Sequence, residues 1–310
     1  MHRKILKWRV VSFLTELSKK IVLPGFDRLP LYNVLAFFIR GMQQGYIANR
    51  ASAISFSFFI AVFPFLIFLF SIIPFIPISN FQQALLSLIH DFMPDMVWAS
   101  VQETITDVIT HPRSGVLLFN FALALYFSTK GMKSLIEAFN NTYHEIESRK
   151  PAKQYLVSLV LVIIISILLI IAIGLMTFGF TILKLILPDM IVKAHFFIIL
   201  LQLLRWLIIL AALFLAISFM YYLAPSRSDR FRFISAGSTF STLMLVLTTQ
   251  GFNFYVNNFS RYNALYGSIG TLLVIMLWMY ANAMVLLMGF ELNASIRVAG
   301  YDVKEEDTVD

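Results

Sequence analysis

Residues 155–187 read YLVSLVLVIIISILLIIAIGLMTFGFTILKLIL, an apolar run whose only charge is Lys184. A helix needs about 20 apolar residues to cross the hydrocarbon core of a bilayer, so this run is long enough even when tilted. Residues 51–75, 196–222 and 266–294 meet the same requirement. Two further segments are weaker. Residues 115–136, GVLLFNFALALYFSTKGMKSLI, turn polar in their second half, and 232–256 are rich in Ser and Thr. The second of these still has no charge between Ser235 and Thr249, so both count and the expectation is six spans.

Composition agrees. Of the 310 residues 59% are apolar and 13% charged, where soluble domains carry about 45–50% and about 25%. Disorder, a nucleic-acid arm and a coiled coil all need more charge. What remains is an all-α polytopic membrane protein built as one domain. The absence of cysteine excludes disulfides, thiolate zinc sites and a cysteine nucleophile. It is neutral about compartment.

The net charge of +7 is explained by where the cations fall. With both termini in the cytoplasm, nineteen Lys and Arg lie on the inner side and four on the outer: Arg113, Lys184, Lys193 and Arg261. That bias matches the positive-inside rule for an even number of helices. Nucleic acid is not needed as a partner; membrane lipids are.

The start, HRKILKWR followed by VVSFL, lacks the h-region of a signal peptide. Leu6, Val10, Phe13, Leu17 and Ile21 instead recur at helical spacing among lysines, as in an interfacial helix. Residues 31–47 repeat the pattern, with Val34, Leu35, Phe38, Ile39 and Met42 expected on one face. In the first outer loop, two more amphipathic helices are expected over 81–92 and 97–108. The predicted organisation is a basic interfacial segment (1–50), a six-helix membrane domain (51–296) and an acidic cytoplasmic tail (297–310).

Three stretches resemble the YihY/BrkB family of bacterial inner-membrane proteins. They are NRASAISFSFFIAVFPFLIFL from Asn49, KGMKSLIEAFNNTYHEIESR from Lys130, and the region from YYLAPSRSDRFRFISAGS to MGFELNASI. The last combines Leu-Ala-Pro-Ser, Gly-Phe-x-x-Tyr-Val, Tyr-Asn-x-x-Tyr-Gly-Ser, Trp-x-Tyr and Gly-x-Glu-Leu-Asn in order. The segment ISFSFFIAVFP departs from the Leu-Ala-Tyr-Tyr type of sequence usual there. The resemblance implies a six-helix inner-membrane protein, to whose relatives virulence-factor and ribonuclease labels have been attached.

Among the candidate residues for chemistry, Arg205 is the most costly. It lies about 14 Å into its span, where a central arginine costs ~2.5–3.5 kcal/mol on insertion scales. It either lines a polar cavity, snorkels to the outer interface or binds a neighbouring helix. Glu291, in Gly289-Phe290-Glu291-Leu292-Asn293, is either an ion-coupled carboxylate facing Arg50 or Lys130, or a carboxylate that locks helix ends together. Glu137 is nearer the inner surface. Arg50 precedes the small residues Ala53, Ser57 and Ala61, and Pro64 frees the carbonyl of Ile60. Such a break opens a site in some transporters and is a tolerated kink in others. The polar segment 250–266 offers Asn253, Tyr255, Asn257, Tyr262, Asn263 and Tyr266 as headgroup-binding or belt residues.

Five scattered histidines, no P-loop and no cluster of carboxylates give no metal or cofactor site and no catalytic group. The leading expectation is transport of a lipid or amphiphilic envelope component. The alternative is a non-catalytic scaffold for envelope proteins, and an RNA-processing enzyme comes last.

Overall fold

Where no water can bond the backbone, a chain satisfies its peptide groups internally, and a single segment does so only as a helix. The computed structural model of the chain follows that rule. It describes residues 16, 29–44, 46–72, 75, 86, 102–103, 106, 114–141, 149–186, 195–226, 232–258 and 268–309. The helices in chain order are α1 (Leu31–Gln44), α2 (Ile47–Ile72), α3 (Ser114–Asn140), α4 (Pro151–Ile186), α5 (His195–Leu223), α6 (Ala236–Asn258) and α7 (Ser268–Val309). No strand forms among the described residues. The protein is an all-α polytopic membrane protein.

Five helices hold a stretch long and apolar enough to cross a membrane among the described residues: Ile47–Phe68, Gly115–Asn140, Pro151–Leu175, Ile199–Leu223 and Leu272–Gly300. The expected sixth, over 232–256, coincides with α6. At 23 residues α6 has the length, but its second half, with Gln250, Asn253, Asn257 and Asn258, leaves it outside that group.

Several boundaries differ from the sequence reading. α2 starts at Ile47, which puts Arg50 inside the helix. It then runs through Pro64 without ending. α3 continues beyond 136 to Asn140, and α4 starts on Pro151, a position where the missing N–H costs nothing. α7 extends to Val309, so the segment read as a tail continues the last helix. The N-terminal helix over 6–21, the two outer-loop helices and residues Tyr262, Asn263 and Tyr266 lie outside the described residues, apart from isolated positions in the first two.

The chain divides into two units, residues 1–55 with 132–310, and residues 56–131. In the first, α7 packs on α6 and on α1, and α5 packs on α4 and α6. Leu29 and Val34 form a core with Leu292, Ile296 and Ala299, extended by Phe38 and Phe240. The α1 periodicity resolves differently from expectation. Val34 is buried and Phe38 packs beside it, whereas Leu35 and Ile39 are exposed. The second unit has its own fastening, a hydrogen bond from Asn120 Nδ2 to Ser71 Oγ of 2.8 Å. Phe68 and Phe121 meet in the same unit with ring centroids 5.4 Å apart.

Candidate functional site

Each helix leaves four N–H groups at its start and four carbonyls at its end without intrahelical partners. In the first unit several of these orphan groups are met by side chains, and the side chains come from the motif segments.

Arg50 is the first example. Its Nη2 donates to the carbonyl of Ala138, in the last turn of α3, at 2.5 Å. Its Nη1 lies 4.0 Å from Glu291 Oε2 on α7, and the Glu291 side chain is fully buried. The backbone of α1 closes over the carboxylate at Gly41, where any Cβ would collide with Glu291 Oε1. Four helices therefore meet at one buried ion pair, and a side chain at position 41 would have to displace the Glu291 carboxylate.

The end of α5 is held in the same manner. Arg149 Nη1 donates to Leu223 O at 3.1 Å, and its Nη2 donates to Pro225 O. Asn140 contributes both halves of its amide, donating to Ala224 O at 3.4 Å and accepting from Ser226 N at 3.0 Å. A positive group at a helix C-terminus also complements the helix dipole. Burial lowers the Arg149 pKa from its ordinary value, and guanidinium remains charged at any physiological pH.

At the start of α6, Ser235 Oγ accepts from Ser238 N at 3.1 Å, the bond of an N-cap. Asn293 Oδ1 accepts from Gly237 N at 2.8 Å, and Asn293 Nδ2 donates to Ser235 Oγ at 2.9 Å. The α6 and α7 backbones touch at Gly237 and Gly289: a Cβ on the first would strike Gly289 O, and one on the second would strike Ser241 Oγ. Tyr221, wholly buried, donates to Leu286 O at 2.6 Å and lies 2.6 Å from Ser241 Oγ. Phe139 and Phe290 stack at 4.4 Å and 11°, and Tyr221 stands edge-on to both. One layer of buried contacts thus joins α3, α5, α6 and α7.

The sequence-derived candidates separate into two groups. Arg50 and Glu291 come together in this layer. Glu137 is on its exposed side, 3.6 Å from Lys133 one turn earlier, a pairing worth ~0.3–0.5 kcal/mol. Pro64 lies in the other unit. Arg205, Asn253 and Tyr255 are exposed. Asn257 is within α6, and nothing further is described of its side chain. From Ile199 to Ala216, α5 buries no side chain, so Arg205 sits on an open helix surface. At 1.5 Å per residue it is about 24 Å beyond the Tyr221–Ser241 contact, while Asn253 and Tyr255 on α6 are about 18 and about 21 Å beyond it. The two sets occupy similar depths on neighbouring helices.

Sequence reasoning missed the roles of Gly41, Asn140, Arg149, Tyr221 and Ser235. Their partners are backbone atoms or residues far along the chain, and for all but Gly41 the one legible signal was their place in the motif segments. Among the described residues no three His, Asp or Glu side chains gather as a metal ion would require.

Residues 38–308 match the family described as virulence factor BrkB. A putative ribonuclease-like protein, YfkH, of Bacillus subtilis is 28% identical over 79% of this chain and 88% of its own length. A UPF0761 membrane protein of Haemophilus influenzae is 21% identical over 89% of this chain and its full length. One from Idiomarina loihiensis is 30% identical, over 29% of this chain and 32% of its own. No solved structure matches the chain.

Proposed function

Because the chain belongs to the virulence factor BrkB family, we propose that it moves a lipid or another amphiphilic envelope component across a bacterial cytoplasmic membrane. In this reading it crosses the membrane six times with both termini inside, and α6 is the least apolar crossing.

Arg205 carries the reading. A guanidinium in the outer half of a span, on a helix surface with no buried neighbour, is costly when it faces acyl chains alone. An anionic headgroup offsets that cost, since guanidinium binds phosphate oxygens with two parallel hydrogen bonds. Asn253 and Tyr255, at similar depth on α6, supply an amide and a phenol for the remainder of the headgroup. The buried contacts among α3, α5, α6 and α7 would be the fixed end against which the far halves of α5 and α6 work.

The test is lipid translocation in proteoliposomes containing fluorescent phosphatidylglycerol, read by dithionite bleaching. Wild-type protein should raise the rate at which inner-leaflet lipid becomes bleachable. Arg205→Leu should slow that rate at least tenfold, the equivalent of about 1.4 kcal/mol, and Arg205→Lys should retain part of it. Wild-type protein that moves no lipid, or a Leu variant as fast as wild type, would overturn the proposal.

A second reading, a scaffold for envelope proteins, draws on a different observation. α7 remains helical to Val309, nine residues past the end of its apolar stretch at Gly300, and so offers a docking element beyond the membrane. Retained lipid movement after deletion of residues 301–310, with loss of co-purifying proteins, would assign the two roles to separate parts.

A further inference from the structure

α1 is divided into three sectors rather than two. At about 100° per residue, Val34, Phe37, Phe38 and Gly41 share one side. That side is occupied, since Val34 sits with Leu292, Ile296 and Ala299 and Gly41 covers Glu291. Asn33, Arg40 and Gln43 form a polar sector. Between them runs a third sector, Leu35 and Ile39, which is apolar and yet 39% and 51% exposed respectively. A helix that only docked on α7 would place its apolar residues on the docked side. A helix with one apolar side on protein, a second apolar side uncovered and a polar side facing water fits a boundary between three media.

The chain supplies that boundary. α1 ends at Gln44 and the crossing stretch of α2 begins at Ile47. Tyr46, between them, has a φ of 47° and is 76% exposed. A left-handed residue turns the chain sharply, and an exposed tyrosine at such a turn suits the headgroup layer, where its ring and hydroxyl are both accommodated. The uncovered side of α1 therefore starts where the lipid contact of α2 starts. The charge is of the appropriate sign as well: the first fifty residues hold nine Lys and Arg against Glu16 and Asp27, which favours an anionic leaflet.

We infer that α1 is an in-plane membrane helix whose Leu35–Ile39 side inserts into the lipid leaflet at which α2 enters, while its opposite side fastens α7 over Glu291. The occupant of the exposed side is lipid, to a depth of about 5–10 Å. The inference is independent of whether the protein moves lipid. It makes α1 a mechanical link between the leaflet and the buried Arg50–Glu291 pair.

The natural absence of cysteine makes the test direct. Leu35→Cys, Ile39→Cys, Arg40→Cys and Gln43→Cys, each exposed in the structure and so tolerant of change, are spin-labelled one at a time in the full chain. The protein is reconstituted in phosphatidylethanolamine–phosphatidylglycerol vesicles, and collision with oxygen is compared with collision with a water-soluble nickel chelate. The oxygen-to-nickel ratio should be several-fold higher at 35 and 39 than at 40 and 43. Nickel access at 35 and 39 equal to that at 40 and 43 would place the helix in water and overturn the inference. Exclusion of both reagents at 35 and 39 would overturn it too, because protein, either a second copy or the residues before 29, would then cover that side.

Discussion

Arg50 has two duties, and they differ in what they ask of the side chain. It closes the end of α3 at Ala138 and faces Glu291 beneath Gly41. Removing one member of a buried ion pair typically costs ~3–5 kcal/mol, because the other charge is left without its compensation. The 4.0 Å separation argues for the lower end of that range, and the lost bond to Ala138 adds a further share. Arg50→Ala is therefore expected to lower the unfolding midpoint in detergent more than Glu291→Gln, which removes the charge but keeps the shape that Gly41 encloses. The double variant should cost less than the sum of the two. Purely additive losses would mean that the two residues act separately. Lys would be a poor replacement for Arg50, since one ammonium cannot point at Ala138 O and Glu291 with the same fork geometry.

At the scale of elements, what recurs is a helix end supported by another helix's side chain. Arg149 reaches over Leu223 and Pro225 from the start of α4, and Asn140 reaches over Ala224 and Ser226 from the end of α3. Hydrogen bonds from charged donors contribute ~1.5–3 kcal/mol. Arg149→Ala should thus release the last turn of α5, seen as faster amide exchange at residues 220–226, while α7 around Leu292 stays protected. Arg149→Lys should restore one of the two bonds and part of the protection. Uniform acceleration across the bundle would instead mark a global loss of stability. The helices themselves were readable from sequence, because long apolar runs leave the backbone no alternative to helix. Their ends were not. Arg149 registered only as one cation in a basic loop, since its acceptors are carbonyls 74 and 76 residues away and a carbonyl has no letter in the sequence. α1 shows the complementary failure. Its periodicity revealed an apolar surface, but one helix period cannot tell a side that meets protein from a side left uncovered, so Val34 and Leu35 were read together and the structure separates them. Glu291 was legible because a carboxylate in an apolar run must find a cation, and Arg50 was among the cations near the inner ends of the spans.

For the whole molecule, the distribution of cations and the layer of closed helix ends support each other. The Arg50, Asn140, Arg149, Ser226 and Asn293 contacts occur at the ends that the charge bias assigns to the cytoplasm, and the outer half of α5 carries only Arg205. Within the first unit these contacts join α5 and α6 to their neighbours at one end, while α5 buries no side chain from Ile199 to Ala216, an asymmetry that a lipid-moving protein and a scaffold would use differently. The assignment has a direct check, because a cysteine-free chain reports one introduced thiol at a time. Lys153→Cys, exposed in the first turn of α4, should resist a membrane-impermeant maleimide in intact spheroplasts and react once they are permeabilised. Lys193→Cys, in the connection before α5, should react without permeabilisation. Labelling of residue 153 from outside would invert the topology. Arg205 would then lie in the leaflet facing the cytoplasm, and the headgroup it engages would come from the inner rather than the outer lipid pool.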